Sequence, residues 1–187
     1  MVIMRSTPLS PAQRGTSLIE VLVTLVILTI GLLGLAGLQS RLQVSELEAY
    51  QRAQALILLN DMASRVATNR SAAASYVTGT PLGAGMTSCP TTTSTQQERD
   101  AGEWCNVFKG AGEQSGIGNV GAMIGGRGCV ESLGSGEYLV TVAWQGLTPI
   151  AAPAVTCGQN SYNGGTFCVD DLCRRTVTTI VRIGDLT

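Results

Sequence analysis

One stretch decides the fold of this chain: Gly15-Thr16-Ser17-Leu18-Ile19-Glu20, followed by the apolar residues VLVTLVILTIGLLGLAGL (21–38). Glu20 is the only charged residue between Thr16 and Leu38. At about 1.5 Å per helical residue, residues 18–38 are long enough to cross a hydrocarbon core roughly 30 Å thick. The stretch therefore predicts a membrane helix with a single carboxylate near its start.

The segment in front of this span is basic. It carries Arg5 and Arg14 and no acidic residue, and positive charge before an apolar span holds that end on the cytoplasmic side. The remainder of the chain is therefore predicted to lie outside the cytoplasm. After the span, residues 38–42 (LQSRL) favour a continuing helix over a signal-peptide cleavage site.

The basic leader that ends in Gly15, the Thr-Ser-Leu-Ile-Glu that follows and the apolar helix resemble the class III signal of type IV pilins and pseudopilins. The resemblance implies that a prepilin peptidase removes the leader, residues 1–15, by cutting between Gly15 and Thr16. It also implies methylation of the new terminal amine, although Thr16 stands where the family usually has Phe. The helix stays on the mature protein.

In that family a glutamate at the position of Glu20 pairs with the terminal amine of its own or a neighbouring subunit. The resemblance therefore implies that Glu20 guides subunit assembly, since a carboxylate near a bilayer edge is costly until it finds a partner. The alternative is that Glu20 only reaches toward the lipid headgroups. Residues 16–38 are then a transmembrane and filament-core helix.

An amphipathic continuation of the helix is predicted over residues 39–70. Its apolar face holds Ala55, Leu58, Leu59, Met62 and Val66. Two pairs with favourable spacing are expected to form ion pairs along it: Glu48 with Arg52, and Asp61 with Arg65. The stretch from Tyr50 to Arg70 resembles minor pilins of the PilV type.

Residues 71–187 change character, since Gly, Ser and Thr are abundant there and short alternating runs appear. Residues 138–144 and 177–183 alternate as half-buried strands do, and residues 129–131 suggest a third strand. Residues 71–80 and 90–100 are polar and are expected to be loops. The fold class predicted is α+β: a long N-terminal helix, packed by its second half against a small antiparallel sheet, as in the type IV pilin fold.

All six cysteines follow the span, on the side predicted to be oxidising: Cys89, Cys105, Cys129, Cys157, Cys168 and Cys173. An even set in such a compartment predicts disulfides, with 15 connectivities open for six cysteines. The resemblance to pilins implies a bridge from Cys157 to Cys168 or Cys173. No metal is expected, because the chain has no His and no C-x-x-C pair.

Other chemical motifs in the chain are weak. Residues 116–121 match G-x-G-x-x-G but lack the strand and helix that a dinucleotide site needs. Asp170 and Asp171 are predicted to be a solvated loop, with weak calcium binding as the alternative. Arg174, Arg175 and Arg182 are predicted to be a solvated strand edge, with a DNA-binding patch as the alternative, and the net charge of −1 opposes that alternative.

The resemblance implies a minor pilin of a type IV pilus that acts in pilus biogenesis, twitching motility and adhesion, and no enzyme is expected. Expected partners are other minor pilins, the major pilin, the prepilin peptidase and the inner-membrane assembly platform. No cofactor and no nucleic acid partner is expected. The predicted location is the inner membrane, with a periplasmic C-terminal domain, and then the cell-surface pilus. Alternatives are a type II secretion pseudopilin, a DNA-uptake minor pilin and an anchored periplasmic enzyme.

Overall fold

The structure is a computed structural model and describes residues 17–111, 114–116, 118–119 and 123–184. The chain forms two compact units, which divide between Gln43 and Val44. A single helix, α1 (Leu18–Thr68), contributes residues to both units.

The first part of α1 has the internal hydrogen bonding that an apolar environment requires. The helix begins where the Glu20 amide donates to the Ser17 carbonyl at 3.0 Å. The hydroxyl groups of Thr24 and Thr29 each donate to the carbonyl three residues earlier, at 2.8 Å, so neither needs water. Among the helices that the structure describes, α1 is the one long and apolar enough to cross a membrane, with a mean hydropathy of 2.6 in its most apolar window.

The second unit is built on a four-stranded antiparallel sheet with the strand order β1 (Leu82–Gly83), β4 (Arg127–Gly134), β5 (Glu137–Gln145) and β6 (Arg174–Arg182). Two further strands, β2 (Gln114–Ser115) and β3 (Gly118–Asn119), form a separate pair. A long helix followed by a small four-stranded antiparallel sheet confirms the predicted α+β fold class. The elements that follow α1 are a 3₁₀ helix (Arg70–Tyr76), β1 (Leu82–Gly83), α2 (Gln96–Phe108), β2 (Gln114–Ser115), β3 (Gly118–Asn119), β4 (Arg127–Gly134), β5 (Glu137–Gln145) and β6 (Arg174–Arg182).

The apolar face predicted for the second half of α1 is the buried face. Ala55, Leu59, Met62 and Val66 are at most 3 % exposed, because the helical repeat places them on one side of α1, which packs on the sheet and α2. The other members of this core are mainly residues of the sheet and of α2: Val130, Val140, Val142, Trp144, Val181, Trp104 and Phe108.

The strand positions are confirmed, with shifted ends, but half-burial is wrong for β5, where residues 140–144 are all buried because the C-terminal loop (residues 146–173) covers the second face at Ala143. The strand predicted over residues 138–144 is β5, and the strand predicted over residues 177–183 is β6, which begins at Arg174 and ends at Arg182. The three residues suggested as a third strand belong to β4, which covers eight residues.

The prediction that residues 71–80 and 90–100 are loops is wrong where the 3₁₀ helix and α2 lie. Helix α2 begins with a capping box: the Glu98 amide donates to the Thr95 hydroxyl at 3.2 Å, and the Thr95 amide donates to the Glu98 carboxylate at 2.9 Å. Trp104 and Phe108 then reach the core and pack edge to face, with ring centroids 4.9 Å apart. Burial of these two rings stabilises a helix whose first turn is polar.

Three disulfides fasten the second unit: Cys89–Cys105, Cys129–Cys157 and Cys168–Cys173. The second joins β4 to the C-terminal loop (residues 146–173), and the third lies within that loop. The bridge from Cys157 to Cys168 or Cys173, which the resemblance implies, is wrong. Cys157 lies instead over the sheet, with its Cα 5.8 Å from that of Cys129, a separation that a disulfide spans.

Candidate assembly site

The predicted assembly residue Glu20 lies in the first turn of α1 and is exposed. A carboxylate is favoured there by the partial positive charge of the helix N-terminus. Gly15 and Thr16, the predicted processing site, lie outside the described residues. The pairing of Glu20 with a terminal amine therefore stays a prediction.

The helix surface that follows Glu20 is apolar on all sides. Fourteen large apolar side chains from Leu18 to Leu38 are exposed in the isolated chain. Covering such a side chain is worth about 1.5–3 kcal/mol, so leaving the whole surface in water costs roughly 20 kcal/mol or more. Lipid or neighbouring helices must therefore cover this part of α1.

A buried polar cluster in the second unit joins α2 to α1 and to the 3₁₀ helix. The carboxylate of Asp100, 3 % exposed, accepts hydrogen bonds from Arg65 at 2.7 Å, Gln96 at 2.9 Å and the Tyr76 hydroxyl. Burial alone raises the pKa of Asp100, but these three hydrogen bonds outweigh burial and hold the pKa below its usual value. Burial and the bond to Asp100 raise the pKa of Tyr76, so the phenol stays a donor.

Arg65 is the cation of this cluster. It contacts Asp61 at 3.0 Å, which confirms the predicted ion pair along α1, and Glu103 on α2 at 2.7 Å. Burial lowers the pKa of Arg65, but its bonds to three carboxylates raise the pKa above the usual value. All these groups are engaged with one another, so the cluster holds helices together and presents no free acid or base. Sequence reasoning missed Asp100, because its burial depends on helix α2.

A second buried ion pair anchors the C-terminal loop to the sheet. Arg174, 2 % exposed, lies 3.3 Å from the carboxylate of Asp171, 4 % exposed. Its guanidinium donates to loop carbonyls at Val155 (2.6 Å), Cys157 (3.0 Å) and Pro153 (2.9 Å).

The structure also places the acidic pair, Asp170 and Asp171, differently from what the sequence predicted. Both Asp170 and Asp171 have φ near +50 to +60°, so the chain turns tightly there. Asp170 is exposed, while the Asp171 carboxylate points inward and accepts the Asn160 amide at 2.9 Å. The prediction of a solvated pair is wrong for Asp171. Its bonds to Arg174 and Asn160 also remove the basis for the calcium alternative.

The three arginines suggested as a patch make different contacts and differ in exposure. Arg175 lies 3.3 Å from Glu48 on α1 and donates to the Thr148 carbonyl at 2.6 Å. Glu48 therefore faces Arg175, and its predicted pairing with Arg52 is wrong. Arg182 is the solvated member, with 74 % of its side chain exposed and Glu137 at 2.6 Å. The prediction of a solvated strand edge holds for Arg182 and is wrong for Arg174 and Arg175.

The described residues contain no group of three or more His, Cys, Asp or Glu side chains that could hold a metal ion. All six cysteines are bridged, so none offers a thiolate ligand. The G-x-G-x-x-G match at residues 116–121 lies partly outside the described residues, and its described part is Gly116 and the two residues of β3, which pairs with β2.

Comparison with known families places the decisive stretch in a recognised motif. Residues 10–36 match the protein-family model described as the prokaryotic N-terminal methylation motif. This prepilin-type signal indicates a type IV pilin or pseudopilin. It suggests a structural protein, and with the apolar helix it fits an inner-membrane anchored pilin. No curated protein and no solved structure matches the chain.

Proposed function

We propose that the chain is a minor pilin of a type IV pilus, of the PilV type. The observation that carries the proposal is the methylation motif over residues 10–36, which leads into a helix whose apolar surface lipid or neighbouring helices must cover. The α+β unit that follows, fastened by three disulfides, suits a subunit exposed outside the cytoplasm. Its proposed function is to pack against other subunits and not to catalyse a reaction.

In this proposal the leader, residues 1–15, is removed between Gly15 and Thr16 while the helix holds the chain in the inner membrane. Residues 16–38 then serve first as a transmembrane helix and later as filament core, and residues 71–187 form a periplasmic domain. The subunit joins other minor pilins and the major pilin through the assembly platform, and takes part in fibre biogenesis, twitching motility and adhesion.

Glu20 is the proposed assembly residue. A carboxylate at the mouth of an apolar helix costs a few kcal/mol unless it is paired or reaches water, and a neighbour's terminal amine supplies the opposite charge. Its place in the first turn of α1 brings it within a few residues of the new N-terminus that cleavage after Gly15 creates.

The alternatives differ in their support. A type II secretion pseudopilin carries the same N-terminal motif, so the pilin and pseudopilin roles are distinguished by whether the processed chain enters surface filaments. A DNA-uptake role loses its candidate patch, because Arg174 and Arg175 are held by intramolecular contacts. An anchored enzyme would keep its leader uncut.

The test is to follow an epitope-tagged chain in filaments sheared from cells with and without the prepilin peptidase. We expect the chain in filaments only when the peptidase is present. Glu20→Gln should reduce incorporation about 10-fold, the effect of losing roughly 1.4 kcal/mol of pairing. Glu46→Gln is the matched control, because Glu46 is exposed on the same helix beyond the span.

Two outcomes would change the proposal. A chain that is processed but stays in the membrane fraction would indicate a pseudopilin. Equal incorporation of the Glu20→Gln variant and the wild-type chain would refute the role of the carboxylate and leave the pilin proposal standing.

A further inference from the structure

The two edges of the main sheet are unequal. One edge is divided, because β1 pairs with only Arg127 and Gly128 of β4 and Thr78 bonds to Val130 beyond them, whereas β6 forms the other edge without a break over nine residues. Short edge strands discourage pairing with another chain, and long regular ones invite it. The β6 edge is therefore the one to examine.

The register shows which backbone groups of β6 face outward. The Ile183 amide donates to the Gly136 carbonyl, and the Gly146 amide donates to the Cys173 carbonyl. Because bonding residues alternate along an antiparallel pair, the odd-numbered residues of β6 face β5. Thr176, Thr178 and Ile180 turn their N–H and C=O groups to the open edge, and among the described residues nothing pairs with them.

The middle of this edge lacks the usual protection. Residues 176–181 read TVTTIV, six β-branched residues in succession with no Pro, Gly or charged residue, and the arginines of β6 stand only at its two ends. Natural sheets protect an exposed edge with proline, charged side chains or a bulge. An unbroken β-branched run favours an extended strand with straight, regular pairing.

A groove of about 520 Å³ opens beside the start of this edge. Trp144 and Ile150 form apolar walls, Thr176 lies at the edge itself, and Arg52 stands on the α1 side. Arg52 is exposed and has no ion-pair partner among the described residues, since Glu48 faces Arg175 instead. The groove thus offers apolar surface and one unneutralised positive charge.

We propose that the open edge of β6 pairs with an extended segment of a different protein of the same assembly, which places an acidic side chain against Arg52 and an apolar side chain in the adjoining groove. Backbone N–H and C=O groups recognise another extended backbone, as in strand addition to a sheet edge. The groove and Arg52 then select among the segments that could pair.

A second copy of this chain does not fit the same edge. Two β6 strands paired antiparallel are related by a two-fold axis perpendicular to the sheet. The part of α1 within the second unit packs on the sheet through Ala55, Leu59, Met62 and Val66, so this axis would make that part run in opposite directions in the two copies. Subunits that enter one fibre from one membrane share a single direction, so such a pair does not suit the proposed assembly. This step rests on the proposed function.

Amide hydrogen exchange of the full chain tests the inference, first in detergent and then in sheared filaments. In detergent we expect the amides of Thr176, Thr178 and Ile180 to exchange at least about 10-fold faster than those of Val177 and Thr179, which bond to β5. In filaments the three outward amides should slow by at least about 10-fold, because each gains a backbone hydrogen bond. If the processed chain stays in the membrane fraction, amide exchange is measured on that fraction and not on filaments.

Two pairs of variants separate the edge from general stability. Thr178→Pro removes an outward amide that β5 does not use and should lower incorporation at least about 10-fold, while Thr178→Val keeps the amide and should incorporate normally. Arg52→Glu should also lower incorporation, while Arg52→Lys keeps the charge and should not. Arg52 is exposed, so its variants are expected to fold.

The inference would be overturned if the outward amides exchanged equally fast in the assembled and detergent states, or if Thr178→Pro behaved like Thr178→Val. Cross-links at β6 between two differently labelled copies would also overturn it, because they would assign the edge to self-association. The exchange measurement in detergent does not depend on cleavage after Gly15, whereas the measurements in filaments are made on the cleaved chain. An uncut leader would instead refute the proposed function.

Discussion

Replacing Arg174 with alanine should be among the most damaging single changes outside the apolar core. The guanidinium is buried, donates to the carbonyls of Pro153, Val155 and Cys157, and faces Asp171 at 3.3 Å. Breaking a buried ion pair by removing one partner costs about 3–5 kcal/mol. The orphaned carbonyls add to this cost, although water entering the vacated space offsets part of it, so we expect a loss of roughly 4 kcal/mol.

The matched control is Arg182→Ala. Its side chain is 74 % exposed beside Glu137, and exposed ion pairs contribute about 0–1 kcal/mol. Urea unfolding of the full chain in mild detergent, followed by tryptophan fluorescence, measures both variants, because Trp104 and Trp144 are buried in the second unit. A loss for Arg174→Ala within about 1 kcal/mol of that for Arg182→Ala would refute the anchoring role.

Three further changes probe the second unit. The pKa of Asp100 is lower in the folded chain than in the unfolded chain, where it is about 3.9, so the ionised carboxylate stabilises the fold above that pH and the stabilisation is lost as the pH falls below it. The Asp100→Asn variant should therefore lose less free energy of unfolding between about pH 6 and 3 than the wild-type chain. Urea unfolding at each pH measures the difference. Gly128→Ala would place a Cβ 2.3 Å from the Trp104 ring and should cost about 1–3 kcal/mol, seen as a lower urea midpoint. Replacing the Cys129–Cys157 pair by alanines should lower the free energy of unfolding by roughly 3.5 kcal/mol, against roughly 2 kcal/mol for the Cys168–Cys173 pair, because the Cys129–Cys157 disulfide closes the longer loop. Equal losses of stability in thermal unfolding would contradict this.

Periodicity in the sequence predicted where α1 and β5 lie, although β5 is buried on both faces over residues 140–144. The 3.6-residue repeat from Ala55 to Val66 marked the buried face of α1, and the alternation over residues 138–144 marked β5. Helix α2 was missed because its first turn is polar. The signal was present in Thr95 and Glu98, which have the spacing of a capping box, followed by Trp104 four residues before Phe108.

The polar contacts were harder to predict, since they depend on which segments meet in space. Arg174 and Arg175 are adjacent in sequence, yet one anchors the C-terminal loop and the other reaches Glu48 on α1. Local spacing assigned Glu48 to Arg52, four residues along the same helix. In the structure Glu48 binds a cation of the sheet that lies 127 residues away in sequence. A helical repeat carries no information about such a distant partner.

Gly15 and Thr16 are the residues on which the whole account depends. Trypsin cuts after Arg14 and next after Arg41, so an uncut chain yields a peptide that begins at Gly15, and a processed chain yields one that begins at Thr16. Mass spectrometry of the chain from cells with and without the prepilin peptidase decides between them. The account predicts the peptide from Thr16, carrying one methyl group, only where the peptidase is present. The peptide from Gly15 in both strains would contradict it.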